Sequence, residues 1–444
     1  MNMTRQKLKL TSAQIIILGF AAVILIGSLL LMLPFATKGP GNATFLDALF
    51  TATSAVCVTG LIVQDTATYW TVFGQLVILI LIQIGGLGVV TVASAITMKS
   101  GKKISLMQRS TMQESISAQQ VGGIVRLTVF ILKMTLIIEM TGAICLATVF
   151  IPQFGFVKGC WYSLFHSISA FCNAGFDLMG IRAPYSSLTS FSDDVVVNLT
   201  IMLLIIIGGI GFLTWEDMIN KKLDIKKYRM QSKVILTVSA VLIAAPAIYF
   251  YFFEFAGMTG KERILNALFQ SVTTRTAGFN TADLTKMTET GILLMSILMM
   301  IGGSPGSTAG GMKTTTVAVL IGNMISVFRR REHAHFYGRR VAEETVRNAA
   351  AILAMYLTLC LGGAMIISAV EKLPMMTCLF ETASAVGTVG LTLGITPELG
   401  VISRLILILL MYLGRVGGLT VIFATVSGIR AGGAKYPQEK ITVG

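Results

Sequence analysis

A short motif recurs four times along this 444-residue chain, and each copy lies between two long apolar stretches. Every copy ends in one glycine followed by a bulky apolar residue: Cys57-Val58-Thr59-Gly60-Leu61, Cys172-Asn173-Ala174-Gly175-Phe176, Arg275-Thr276-Ala277-Gly278-Phe279 and Gly387-Thr388-Val389-Gly390-Leu391. In three copies a phenylalanine of an apolar, helix-like run stands ten residues before the glycine (Phe50, Phe165, Phe380); the third copy is one residue shorter, from Phe269 to Gly278. The glycines are 115, 103 and 112 residues apart, which marks one unit repeated four times. Four similar loops in one membrane chain can surround one axis, and that is the geometry of a pore.

The composition places these loops in a bilayer. Apolar residues make up 54% of the chain and charged residues 13%, with mean hydropathy +0.78, whereas a soluble protein carries about 25% charged residues. Eight apolar spans can be drawn, at about 14–36, 72–98, 127–151, 194–219, 233–254, 290–325 (interrupted), 349–370 and 401–428. The first follows Arg5, Lys7 and Lys9, has no small-residue cleavage site after it, and is read as a retained helix rather than a signal peptide. Of the 35 Lys and Arg residues, 23 fall on one side of these spans: the N-terminus, 99–126, 220–233, 326–348 and the C-terminal tail. The positive-inside bias makes that side cytoplasmic, with both termini inside a multi-pass cell-membrane protein. A net charge of +14 spread in this way attracts anionic lipid rather than nucleic acid, which would need the charge on one soluble domain.

The expected fold is an all-α integral membrane protein. Four consecutive helix–pore-loop–helix repeats, eight transmembrane helices in total, surround one central pore. The repeats divide the chain at 1–110, 111–225, 226–340 and 341–444. Each starts and ends inside, so all four share one topology and can circle an axis along the membrane normal; inverted repeats would need an odd number of spans per unit. A second glycine set recurs in the second span of each unit: Gly85-Gly86-Leu87-Gly88, Gly208-Gly209-Ile210-Gly211, Gly302-Gly303-Ser304-Pro305-Gly306 and Gly414-Arg415-Val416-Gly417-Gly418. Close helix packing accounts for the first two copies. The last two depart from the pattern, which directs the search for a gate to them.

Irregular backbone at membrane depth is tolerated only when buried in protein or lining a watery cavity. A ring of backbone carbonyls can replace the water shell of a cation without charged side chains, and glycine permits the dihedrals that turn carbonyls to an axis. The short helix before each motif would aim its partly negative C-terminal end at the pore centre. The run from Gly302 to Thr314 holds Gly302, Gly303, Ser304, Pro305, Gly306, Gly310, Gly311 and Lys313 between two apolar segments. It breaks the helix and has no bulky side chains to pin it, so it is the candidate for a movable intramembrane gate. Its Gly306–Gly311, Lys313, Thr314 spacing approaches a phosphate-binding GxxxxGK[ST] loop, but Met312 spoils the match and no strand precedes it. Arg415, near the middle of the last span, is a fixed positive charge that either forms a structural pair or sets a barrier in a cation pathway. Lys313 is a second such element. Lys133 snorkels to the interface; Glu139, deeper, either pairs with it or lines a contact.

These motifs resemble those of the ion-translocating subunits of the Ktr/Trk/HKT superfamily of potassium transporters, and most closely the bacterial KtrB type, over essentially the whole chain. The resemblance implies a degenerate potassium-channel filter lined by Gly60, Gly175, Gly278 and Gly390 with the two residues before each: Val58 and Thr59, Asn173 and Ala174, Thr276 and Ala277, Thr388 and Val389. Glycine rather than serine at position 60 implies potassium. The chain departs from channel filters in lacking a second glycine in each repeat and in placing Arg275 before the third motif; either difference would widen the filter or weaken selectivity. The family also implies a gating loop in the interrupted helix, an arginine beneath the filter at Arg415, and a homodimer with one pore per protomer. It further implies a cytosolic RCK/KTN ring that binds a nucleotide of the ATP/ADP or NAD type and docks on the basic loops 99–126, 220–233 and 326–348.

No cofactor is expected in this chain itself, with potassium as the transported substrate. The six cysteines show no CxxC spacing, His333 and His335 lie in a basic loop, and no HExxH, Ser/His/Asp set or metal cluster points to an enzyme. The rival reading is a secondary transporter coupling potassium to sodium or protons, for which Glu139 is the main titratable candidate.

Overall fold

The computed structural model describes residues 11–39, 41–101, 104–118, 120–222, 224–418 and 420. Arg5, Lys7, Lys9, Lys102, Lys103 and the C-terminal tail with the end of the last predicted span lie outside the described residues. The described chain is almost entirely helical. The first unit contains α1 (Ser12–Leu31), α2 (Phe45–Cys57), α3 (Val72–Leu87) and α4 (Val89–Lys99), and α5 (Leu106–Ile116) leads to the second. The second unit contains α6 (Ile124–Phe154), α7 (Phe156–Phe171), α8 (Val195–Gly209) and α9 (Phe212–Lys221). The third contains α10 (Met230–Tyr249), α11 (Gly260–Thr273), α12 (Glu289–Met300) and α13 (Thr314–Phe328). A two-residue-per-strand hairpin, β1 (His335–Phe336) and β2 (Arg339–Arg340), precedes α14 (Glu343–Glu371), α15 (Met375–Gly387) and α16 (Val401–Val416).

The first helices of the four units, α1, α6, α10 with its π-helical extension to Glu254, and α14, are long and apolar enough to span a bilayer. The second helices are not straight. The pairs α3/α4 and α8/α9 each bend by 97°; counted as single spans they bring the total to six. The two further predicted spans are α12 with α13, split by residues 301–313, and α16. The bends were not expected from the sequence, where packing alone accounted for Gly88 and Gly211. Their cause is local: Gly88 has φ 86° and ψ 134°, and Gly211 has φ 92° and ψ 141°, a conformation that side chains disfavour. Gly417 ends α16 with the same dihedrals, φ 88° and ψ 142°.

Helix starts carry explicit stop-and-go signals. Thr11 forms a capping box with Gln14 at the head of α1. Thr44, Thr71, Asp194 and Thr288 each accept a backbone N–H in the first turn of α2, α3, α8 and α12. In an apolar medium these side chains satisfy donors that water would otherwise satisfy.

The units pack cyclically. Besides contacts within each unit, α3 packs on α7, α8 on α11, α12 on α15, and α16 on α2. The second helix of every unit thus buttresses the short helix of the next, and the fourth closes back on the first. Small residues permit the approach within a unit: a Cβ on Gly85, Gly208 or Gly414 would stand 2.0, 2.0 and 2.2 Å from the carbonyl oxygens of Val56, Phe171 and Val386. An ion pair seals the closure between first and last units, with Arg404 of α16 donating to Asp47 of α2 at 2.9 Å. Arg404 also donates to the Pro397 carbonyl at 2.8 Å.

At the basic end, Asp217 of α9 accepts from Lys221 at 2.8 Å, from the Arg229 N–H at 3.0 Å and from Ser232 at 2.7 Å, which ties the bent half-helix to α10. The β1–β2 hairpin lies against α13, where the Phe336 ring fills the space left by Gly322.

The Asp47–Arg404 pair is largely shielded, so removing one partner leaves an uncompensated charge. Asp47→Ala is expected to destabilise the detergent-purified protein by roughly 3 kcal/mol. Asp47→Ala with Arg404→Met should recover part of that loss. Thermal unfolding of the two variants checks this; equal midpoints for wild type and Asp47→Ala would show that the pair does not hold the ring.

Candidate functional site: a ring of four glycines

The four short helices α2, α7, α11 and α15 end in one backbone pattern. The residue two before each glycine adopts a left-handed conformation, with φ 57° at Val58, 59° at Asn173, 68° at Thr276 and 52° at Thr388. The glycines again have positive φ, 94° at Gly60, 69° at Gly175, 84° at Gly278 and 97° at Gly390, while Thr59, Ala174, Ala277 and Val389 between them do not. In each unit the N–H of this middle residue is tied back to the short helix: Thr59 to the Ser54 carbonyl, Ala174 to Ser169, and Val389 to Ser384 at 2.8 Å, and Ala277 to Thr273 at 2.9 Å. Among the described residues no backbone bond uses the carbonyls of Thr59, Ala174, Ala277 or Val389.

Those four carbonyls define a closed ring. A Cβ built on Gly60 would lie 2.6 Å from the Ala174 oxygen; on Gly175, 2.7 Å from that of Ala277; on Gly278, 2.4 Å from that of Val389; and on Gly390, 2.1 Å from that of Thr59. Each glycine therefore abuts the next motif in chain order, and the fourth abuts the first. All twelve residues of the motif positions are brought together and buried.

Sequence reasoning missed the side chains that hold this ring. The residue four after each marker phenylalanine is a hydroxyl: Ser54, Ser169, Thr273 and Ser384. Ser54 and Ser384 accept the N–H of Gly60 and Gly390 at 3.0 Å. Ser169 and Thr273 instead donate to the carbonyls of Phe176 and Phe279, at 2.7 and 2.5 Å. The signal was available, because the same Phe-x-x-x-Ser/Thr spacing occurs in all four copies.

Residues 301–313 pass beneath the ring, and their small side chains do not leave them unanchored. Backbone hydrogen bonds anchor the segment to the second unit: Ser304 N–H to the Gly209 carbonyl at 2.9 Å, Thr308 N–H to Gly208 at 3.2 Å, and Phe212 N–H to Gly306 at 2.6 Å. The Thr308 hydroxyl reaches the Phe171 carbonyl at 3.0 Å and Asn173 Oδ1 at 3.2 Å. Gly302 pairs with Met312, and Gly303 with Thr314. A Cβ on Gly310 would meet the Thr388 hydroxyl at 2.1 Å, and one on Gly311 the Gly387 carbonyl at 2.8 Å, so the segment also touches the fourth motif. Pro305, half-buried, faces Gly211 through its carbonyl.

Arg415 joins three units. Its guanidinium donates to the carbonyls of Thr308 and Gly85, and to that of Gly86 at 3.2 Å. Its partners are carbonyls, and the ion pairs among the described residues do not include it. Lys313 folds back on the segment, with Nζ 2.8 Å from the Ala309 carbonyl. Both cations line a cavity of about 670 Å³ below the ring, together with Pro305, Gly306, Gly86 and Gly88.

Arg275 does not face the axis. Its side chain runs to Ser239 of α10 at 2.9 Å, and its carbonyl accepts from Asn173 Nδ2 of the second motif at 3.2 Å. Glu139 meets Gln83 at 3.3 Å and lies 4.0 Å from the Cys172 sulfur; no ion pair joins it to Lys133 among the described residues.

A membrane bundle of four helix–pore-loop–helix units closed on a ring of carbonyl-flanked glycines is the architecture of a pore-loop transport protein. The family described as TrkH, cation transport protein, matches residues 5–429. Potassium/sodium uptake protein NtpJ of Enterococcus hirae is 41% identical over 99% of both chains. Ktr system potassium uptake protein B is 38% identical in Bacillus subtilis, over 98% of this chain and 97% of the relative. The corresponding protein of Vibrio alginolyticus is 34% identical, over 99% and 96%. The crystal structure of the potassium transporter TrkH from Vibrio parahaemolyticus superposes with a TM-score of 0.72 at 19% identity, covering 94% of this chain and 86% of that one. The chain belongs to the TrkH family of cation transport proteins.

The ring makes a sharp packing prediction. Gly390→Ala puts a methyl group 2.1 Å from the Thr59 oxygen, and is expected to abolish the monodisperse folded protein or lower its thermal midpoint strongly. Gly362→Ala in α14, where nothing lies within 4 Å of the added carbon, should be neutral or slightly stabilising. Size-exclusion profiles and melting curves of the two variants test the contrast.

Proposed function

We propose that this chain takes up potassium across the cell membrane through the glycine ring, by a channel-like pathway in which sodium is the competing ion. The observation that carries this reading is the closed ring, in which four carbonyls without a backbone partner surround one axis at the ends of four short helices. A dehydrated cation needs several oxygens at once, and Thr59 and Thr388 add hydroxyls that are buried without a hydrogen-bond partner among the described residues. The names of the relatives, potassium uptake in two and potassium/sodium uptake in the third, support the substrate class.

Val58, Thr59 and Gly60 with their counterparts in the other three units form the filter in this reading. Residues 302–313 and Arg415 form the gate beneath it. A guanidinium beside the exit of a cation pathway raises the energy of an ion there, and a segment held mostly by backbone hydrogen bonds can exchange partners without repacking bulky side chains. Arg415 latches the segment to the first unit through Gly85 and Gly86, so moving the fourth unit would release it. The basic connections 99–126, 220–233 and 326–348 would receive a cytosolic nucleotide-binding ring of the RCK/KTN type. Two relatives named as parts of a Ktr system support such a partner. The rest of the reading is a homodimer with both termini cytoplasmic and the glycine ring toward the outer side, as the distribution of Lys and Arg suggests.

Gly60→Ser tests the filter. Its Cβ would lie 2.6 Å from the Ala174 oxygen, a milder approach than the 2.1 Å at Gly390, so the ring has to widen to admit it. In proteoliposomes loaded for rubidium-86 and sodium-22 uptake, this variant should therefore lower the ratio of rubidium to sodium flux. Uptake of both ions identical to wild type would remove the ring from the pathway. For the gate, Arg415→Gln keeps a donor and removes the charge. It is expected to raise rubidium uptake measured without any partner subunit several-fold, as loss of a fixed positive charge in a low-dielectric site should; unchanged or reduced uptake would argue against the barrier.

A further inference from the structure

The position directly after the marker phenylalanine of each short helix is polar in all four units: Thr51, His166, Gln270 and Glu381. All four are buried, the last three completely. Their surroundings differ. Thr51 Oγ1 and both polar atoms of Gln270 have no hydrogen-bond partner among the described residues. His166 Nε2 accepts the Leu178 N–H at 3.3 Å, three residues beyond Gly175. Glu381 uses both carboxyl oxygens: Thr392, two residues beyond Gly390, donates to Oε2 at 2.8 Å, and Thr396 donates to Oε1. Thr392 in turn accepts the Gly394 N–H at 3.0 Å.

We propose that Glu381 is a positioning residue that fixes the far lip of the glycine ring in the fourth unit and thereby sets which cation the ring prefers; this rests on reading the ring as the ion filter. The argument is one of restraint. Beyond Gly390 the chain runs through Leu391, Thr392, Leu393 and Gly394 without regular structure until Thr396. Ser384 holds the near end through the Gly390 N–H. The far end is held to α15 by two hydroxyl–carboxyl bonds one helical turn N-terminal to that serine. Each threonine has one hydrogen to give, and a carboxyl with two oxygens receives both; a shorter or apolar side chain at 381 receives neither. A ring that selects by the spacing of its carbonyls loses discrimination when one of four segments can relax outward.

The ring order makes this restraint asymmetric in a useful way. Since each motif abuts the next in sequence, the second and fourth lie across the axis from one another. These are the two units whose lip is tied down by a buried side chain at the equivalent position, His166 and Glu381. The first and third, with Thr51 and Gln270, have no such tie. Glu381 is the stronger of the two braces because it binds at two points.

The experiment compares rubidium-86 and sodium-22 uptake by the full chain in proteoliposomes for Glu381→Ala, Glu381→Gln and the double variant Thr392→Val/Thr396→Val, with Gly60→Ser as reference. Glu381→Ala and the threonine double variant are expected to lower the rubidium-to-sodium ratio roughly tenfold, the effect of about one net buried hydrogen bond on the discriminating geometry. Glu381→Gln keeps the shape and one acceptor oxygen, and its amide N–H can donate to the hydroxyl oxygen of the other threonine, so both ties persist and the ratio should stay within about twofold of wild type on the same scale. The threonine pair keeps the proposal testable if Glu381→Ala fails to insert. An unchanged ratio in the threonine double variant, or equal proportional loss of both fluxes, would overturn the positioning role. A Glu381→Gln ratio as low as that of Glu381→Ala would assign the effect to charge and also overturn it. If Gly60→Ser changes the ratio while these variants do not, only this inference falls; if Gly60→Ser also leaves both fluxes unchanged, the filter reading falls with it.

Discussion

Everything in this structure is arranged around four carbonyl oxygens that approach four glycines of neighbouring units. Each glycine has another unit's backbone where its Cβ would be, at 2.1–2.7 Å. Such proximity requires glycine unless the ring widens, and it cannot be made in one unit alone. The short helices must end at one level, the second helices must wedge between units, and the last unit must reach the first. The glycines of the second helices answer the wedging requirement, by letting α3, α8 and α16 lie against the carbonyl ends of the short helices. The Asp47–Arg404 pair answers the closure.

The fourfold symmetry is one of backbone, not of side chains. The dihedrals at the fourth position of the glycine set are shared by Gly88, Gly211 and Gly417; they bend the second helix in the first two units, and in the third unit the longer break at 301–313 stands in their place. Equivalent positions then carry different chemistry: a serine that accepts in two units and a hydroxyl that donates in the other two, and a polar residue behind the ring that is tied in two units and untied in two. Arg415 has counterparts in the glycine sets of the other units but no counterpart in charge. A single chain can afford this divergence because its four quadrants are encoded separately, whereas a tetramer of identical subunits would repeat every change four times.

Much of this was legible in the sequence. The marker phenylalanines, the motif glycines and the apolar spans named the units, and the run Gly302–Thr314 announced an interruption because glycine and proline break helices wherever they lie. The bracing hydroxyls were equally visible at Phe+4, though they are unremarkable until the backbone they hold is known. The bends at Gly88 and Gly211 were hidden because a cluster of glycines in an apolar helix reads equally as a packing surface. The direction of Arg275 was hidden for a different reason: a residue beside a filter-like motif can point to the axis or away, and only the neighbouring α10 with Ser239 shows which. Glu139 likewise stood near Lys133 in sequence but meets Gln83 from another unit.

The sequence by itself determined the environment, the repeat and the places where regular backbone must fail, because these follow from local composition and from the cost of unpaired backbone in lipid. It also located the two intramembrane cations. The tertiary structure decided which groups those irregular stretches meet: the order in which the glycines close, the three carbonyls that receive Arg415, the anchorage of 301–313 on the second unit, and the tie between Glu381 and the threonines beyond Gly390. The reason is physical. Hydrogen bonds and close contacts between units depend on angles and distances set by packing of helices far apart in the chain, and no local pattern of residues specifies those.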